Sequence, residues 1–184
     1  VKRVGPRGFE LLDAAGPDAP KVARLLHRYG DNALGVAARP QKVSLYVRYG
    51  DEAAEAMIKH PGVAEPIIRT FGDAAPRALN SVSSRNARRV AIMAQEGSLT
   101  ASGETARMLQ VIGDYGDKAA AFIWRHKGAL AITAVAVAFL NDPEPFIDGT
   151  RDLAAISARP ISAAVETVGQ GVAQGTDWTA VIIF

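Results

Sequence analysis

An aromatic residue followed by Gly-Asp occurs four times in this chain, at Tyr29-Gly30-Asp31, Tyr49-Gly50-Asp51, Phe71-Gly72-Asp73 and Tyr115-Gly116-Asp117. The aspartates are 20, 22 and 44 residues apart, and 44 is two periods of 22. A fixed period of this size marks an array of small supersecondary units. Glycine tolerates a positive φ and so commonly stands just past a helix end, whereas aspartate is a preferred N-cap. The trio therefore predicts a corner at which one helix stops and the next begins almost without a loop. Each unit reads as two helices of about nine residues, too short to be stable alone and closed only by stacking on neighbours.

The residues around the corners agree. Pro76 follows Asp73 in a first turn, where its missing N–H is harmless. A copy is due near residue 95, but the chain reads AIMAQEGSLTASGE there. Ser84 is expected to start a helix running through Glu96 and ended by Gly97, and Ser102 to start another that carries Met108, Leu109, Val111, Ile112 and Tyr115 on one face. The fold class is thus all-α: short helical hairpin repeats in an α-solenoid-like array, followed by a C-terminal helical extension. Residues 1–19 read as an N-terminal arm, 20–140 as the repeat domain, and 141–184 as a C-terminal helical region leading to a membrane anchor. The composition fits, since 48% of residues are apolar while only 7% are aromatic, with Ala dominant, which favours closely packed helices.

Two segments point to a membrane. GALAITAVAVAFL (128–140) is apolar all round, but its 13 residues fall short of the roughly 20 needed to span a bilayer. It reads as one buried helix, or alternatively as a re-entrant or interfacial segment. Trp178 followed by Val181, Ile182, Ile183 and Phe184 reads as a segment entering the bilayer interface. In NDPEPFIDGT (141–150), Asp142 is expected as N-cap and Pro143 as the first helical residue. Its acids lack the spacing of a calcium loop.

No phosphate-binding loop, dinucleotide fingerprint, nucleophile elbow or paired-histidine zinc motif occurs, and there is no Cys. His60 and His126 each lie nine residues after a corner aspartate. In the last turn of a helix they interact well with its dipole. The alternative is a shared haem or metal site formed by both, in an electron carrier or enzyme. The four aspartates are read as caps rather than as metal or catalytic ligands. Residues 1–100 carry 15 Lys and Arg against 10 Asp and Glu, the remainder 6 against 9. Arg85, Arg88 and Arg89 share one helix face and offer a contact for anions or lipid head groups. Nucleic-acid binding through this face is a further alternative, weakened by the lack of interleaved aromatics.

At YGDKAAAFIWRHKGALA and AFLNDPEPFIDGTRDLA the chain resembles uncharacterised bacterial proteins with degenerate Y-G-D or H-G-D helical repeats and a C-terminal membrane segment. The resemblance is strongest over residues 115–155. It implies membrane attachment and supplies no activity, cofactor or functional residue. The expectation is a non-catalytic interaction or scaffold protein, an accessory subunit of a membrane-associated assembly, with other protein subunits as partners and no cofactor.

Overall fold

The same burial pattern recurs from helix to helix. Val22, Leu25 and Leu26 are buried in one, Ala64, Ile67 and Ile68 in a second, Ala75, Ala78 and Leu79 in a third. This i, i+3, i+4 spacing puts a narrow apolar stripe on each helix. Small residues in the stripe let the axes approach closely. In this computed structural model, which describes residues 5–153 and Ile156, the fold is all-α, with no strand among the described residues.

The helices are α1 (Pro6–Ala15), α2 (Ala19–Tyr29), α3 (Leu34–Ala37), α4 (Pro40–Lys59), α5 (Ala64–Phe71), α6 (Ala74–Ser81), α7 (Ser84–Gln95), α8 (Thr105–Leu130), α9 (Thr133–Asn141) and α10 (Glu144–Ile147). Residues 5–19, read from sequence as an arm, include α1, which packs on α2. Packing then advances along the chain: α4 lies against α2, α6 against α4, α8 against α6, and α9 against α8. Phe139 and Phe146 are fully buried at the C-terminal end, where Phe122 stacks on Phe139 with centroids 5.1 Å apart.

The corners are where expected, and their glycines do more work than foreseen. Gly50 has φ 74°, ψ −161° and Gly116 φ 59°, ψ −135°. The positive φ matches the expectation. The ψ values differ from those of the left-handed helical cap and lie in the mirror image of the extended region, open almost solely to glycine. In this conformation one glycine serves both helices. The Gly72 N–H closes α5 on the Ile68 carbonyl at 2.9 Å, and its carbonyl accepts from the Ala75 N–H at 3.2 Å to open α6. Helical hydrogen bonding resumes at once after Gly50 and Gly116, so α4 and α8 each continue through a sharp bend.

The aspartates are not caps of their own helices, contrary to the sequence reading. Asp73 has helical φ/ψ and makes no capping bond. A capping residue needs extended backbone to turn its carboxylate back on the first N–H groups.

Three boundaries also shift. Ser83, not Ser84, is the extended residue before α7, and α8 begins at Thr105. The 128–140 segment is not one helix. It breaks at Ala131–Ile132, where Ile132 is extended and the Thr133 hydroxyl donates to the Ser102 carbonyl at 3.3 Å. No helix among the described residues is long and apolar enough to cross a membrane. Pro143, not Asp142, precedes the short α10, and Asp142 instead accepts from Arg151 at 3.3 Å.

Candidate functional site

The corner residues make contacts from one corner to another. Arg28, just before the first corner, pairs with Asp51 of the second, and the Tyr29 hydroxyl donates to Glu55 at 2.9 Å. Burial, then the hydrogen bond and charge of Glu55, push the Tyr29 phenol well above its ordinary range. Tyr49 lies against Gly72, where a Cβ would stand 3.5 Å from its hydroxyl. At the fourth corner a Cβ on Gly116 would stand 2.9 Å from the Ser81 carbonyl oxygen. There Asp117 Oδ1 accepts from the Ser83 N–H at 2.8 Å, the Ser83 hydroxyl at 3.0 Å and Asn86 Nδ2 at 2.7 Å. Asp117 thus caps α7 from α8. Desolvation raises its pKa, but the Ser83 and Asn86 donors and the Lys59 charge outweigh that and hold the carboxyl below its usual range.

The two histidines occupy the same slot of their units but different surroundings. His60 is 3% exposed, and its Nε2 donates to the Leu79 carbonyl at 2.9 Å. Its Nδ1 is buried without a hydrogen-bond partner. Burial is the largest influence on its pKa; helped by Lys59, it outweighs the Leu79 and Val82 carbonyls and the Asp117 charge and lowers the value. His126 instead packs its ring on Phe122, centroids 4.5 Å apart, beside the Phe139 cluster. The contacts of these rings do not join them in one site. Among the described residues no three or more His, Asp or Glu side chains are grouped to hold a metal ion.

The arginine face is divided. Arg85 and Arg88 are exposed and enter no ion pair among the described residues, whereas Arg89 donates to Asn86 Oδ1 at 3.1 Å and lies 5.6 Å from the Trp124 ring centroid. Lys127 lies over the same indole at 4.6 Å and pairs with Glu96. Sequence reasoning found no aromatic among these arginines because Trp124 comes from α8. The only signal was its slot, seven residues after Asp117. Trp178 lies outside the described residues.

Two small, largely apolar grooves lie on the surface of the described residues. One, about 160 Å³, lies between α1 and the α3–α4 junction and is lined by Leu11, Ala14, Ala37 and Val43. The other, about 180 Å³, lies between α5 and α7. With this geometry in view, the chain was compared with known proteins, and no protein-family model, curated protein or solved structure matches it.

Proposed function

We propose that the chain is a non-catalytic helical-repeat scaffold whose units stack in a solenoid-like array and bind other protein subunits. The observation that carries the reading is the neighbour-to-neighbour wiring of the corners, Arg28 to Asp51, Tyr49 to Gly72 and Asp117 to Ser83. Units that touch chiefly their neighbours leave a long continuous face for a partner. Attachment to a membrane as an accessory subunit is part of the proposal and rests on the sequence from Trp178 onward.

Photo-crosslinking in cells tests it, with the probe placed on exposed positions of α2, α5 and α7. Discrete cross-linked protein partners in the membrane fraction are the expected result. A chain that fractionates away from membranes overturns the anchoring, and one that cross-links to nothing overturns the scaffold.

A further inference from the structure

The interruption of the repeat has a structural consequence. In the regular units the first helix leads through a glycine corner into a second. After α7 the chain instead makes tight turns, with Thr100 N–H on the Gly97 carbonyl at 3.2 Å and Gly103 N–H on the Thr100 carbonyl at 3.0 Å. Leu99 plugs the core at this point. With no second helix of its own, α7 packs on α8, and its seam with α5 is sparse. That seam is the groove of about 180 Å³, walled by Pro66, Ile67 and Thr70 from α5 and by Ala91, Ala94 and Gln95 from α7.

Its size and charge select an occupant. Pockets for drug-sized ligands hold about 300–1,000 Å³. This groove suits a single apolar side chain. On α7, Arg88, Ala91 and Gln95 follow helical i, i+3, i+7 spacing, so Arg88 stands one turn along from the groove wall, while Arg85 shares the neighbouring exposed ridge with Ile92. Among the described residues neither arginine enters an ion pair, while on the α5 side Glu65 and Arg69 neutralise each other at 2.6 Å. The α7 side of the groove thus carries two basic side chains, and the α5 side a neutralised pair. Ile92 is 44% exposed on the same ridge. Base stacking on Trp124 is hindered by Arg89 and Lys127 against its ring. The concave apolar floor distinguishes the site from a flat basic face for lipid.

We infer that the α5–α7 groove receives a short acidic segment of a partner protein, seating one aliphatic side chain over Ile67 and Ala94 and placing its carboxylates on Arg88 and Arg85. The inference rests on the protein-binding reading above and names its partner class.

The test is selection of a phage-displayed random dodecapeptide library on the full 184-residue chain, followed by fluorescence polarisation with the enriched peptides. Enriched sequences are expected to combine one Leu, Ile or Met with at least two Asp or Glu. The double variant Arg85→Glu/Arg88→Glu, at exposed positions outside the core, should bind them at least about tenfold more weakly. Thr70→Trp, which crowds the groove mouth, should do the same, and Lys21→Glu on α2 should have no effect. Enriched peptides without acids, or binding untouched by both groove variants, overturn the inference. So does a charge-reversal effect seen only with phosphatidylglycerol vesicles, which would assign α7 to lipid. Peptides or cross-links mapping to other faces refute this groove and leave the scaffold reading standing.

Discussion

Nε2 of His60 donates to the carbonyl oxygen of Leu79 at 2.9 Å, joining the end of α4 to the end of α6. The backbone of His60 works at the same junction. Its N–H closes α4 on Ala56 at 2.9 Å, and its carbonyl accepts from Val63 and Ala64 at 3.1 and 3.0 Å at the start of α5. Three helices therefore meet at one residue, whose ring is buried and uncharged.

That burial predicts a loss of stability in acid. The folded pKa of His60 lies below its ordinary value, so the unfolded chain binds the proton more tightly. The stability held by the neutral ring is present above the unfolded pKa of about 6.5 and is lost as pH falls through it toward the folded value. Lys59 opposes protonation and Asp117 favours it, and burial decides the sign. Urea unfolding at pH 7.5 and 5.5 should show the loss, with a slope of at most about 1.4 kcal/mol per pH unit for one proton. His60→Gln should be less stable at pH 7.5 and lose less between the two conditions. An equal loss in both proteins would assign the acid sensitivity elsewhere.

The fourth corner should tolerate alanine less well than the second. Gly50 and Gly116 share a conformation that costs a residue with a Cβ about 1–3 kcal/mol. A Cβ on Gly50 meets open space, whereas one on Gly116 meets the Ser81 carbonyl oxygen at 2.9 Å, too close to stay. Gly116→Ala should therefore unfold at lower denaturant than Gly50→Ala. Equal midpoints would show that the α6–α8 contact yields freely.

The positive φ of Gly50 and Gly116 was legible in the sequence, since glycine accepts what few other residues do, but the ψ that makes each corner was not. Nor was what their aspartates do. A carboxylate after a helix-ending glycine looks like a cap, and only the packing of α8 on α7 turns Asp117 toward Ser83 and Asn86. The same limit applies to Trp124, which meets Arg89 across 35 residues of sequence. The split of 128–140 was hidden for another reason. Hydropathy registers how apolar a segment is, while the break is set by the Thr133 bond to Ser102.

Removing the Asp117 carboxylate should uncap α7. Asp117→Ala takes away the acceptor of three donors at that N-terminus and should cost about 1 kcal/mol, the usual loss of an N-cap. If the carboxylate acts through Ser83 and Asn86, Asp117→Ala and Asn86→Ala will be non-additive in a double-mutant cycle. Additive losses would mean that the bonds contribute separately from the cap.

Deleting one whole period tests the array itself. Removing residues 52–73 joins Asp51 directly to Ala74, corner to corner. In a compact core built from distant segments, such a deletion removes contacts everywhere and cooperative folding is lost. In a stack where α4 packs on α2 and α6, and α6 on α4 and α8, it removes one unit and its two interfaces and lets α6 move up against the remaining corner. The shortened chain should remain helical by far-UV circular dichroism and melt cooperatively at a lower midpoint, because the new interface lacks the bond from His60 to Leu79. Its midpoint should recover in part when the deleted segment is replaced by a copy of residues 32–51, which restores a corner and a helix pair at a spacing of 20 rather than 22 residues. A deletion variant that is unfolded, and stays unfolded with the replacement, would show that these helices form one indivisible core and that the period of 22 is not a structural unit.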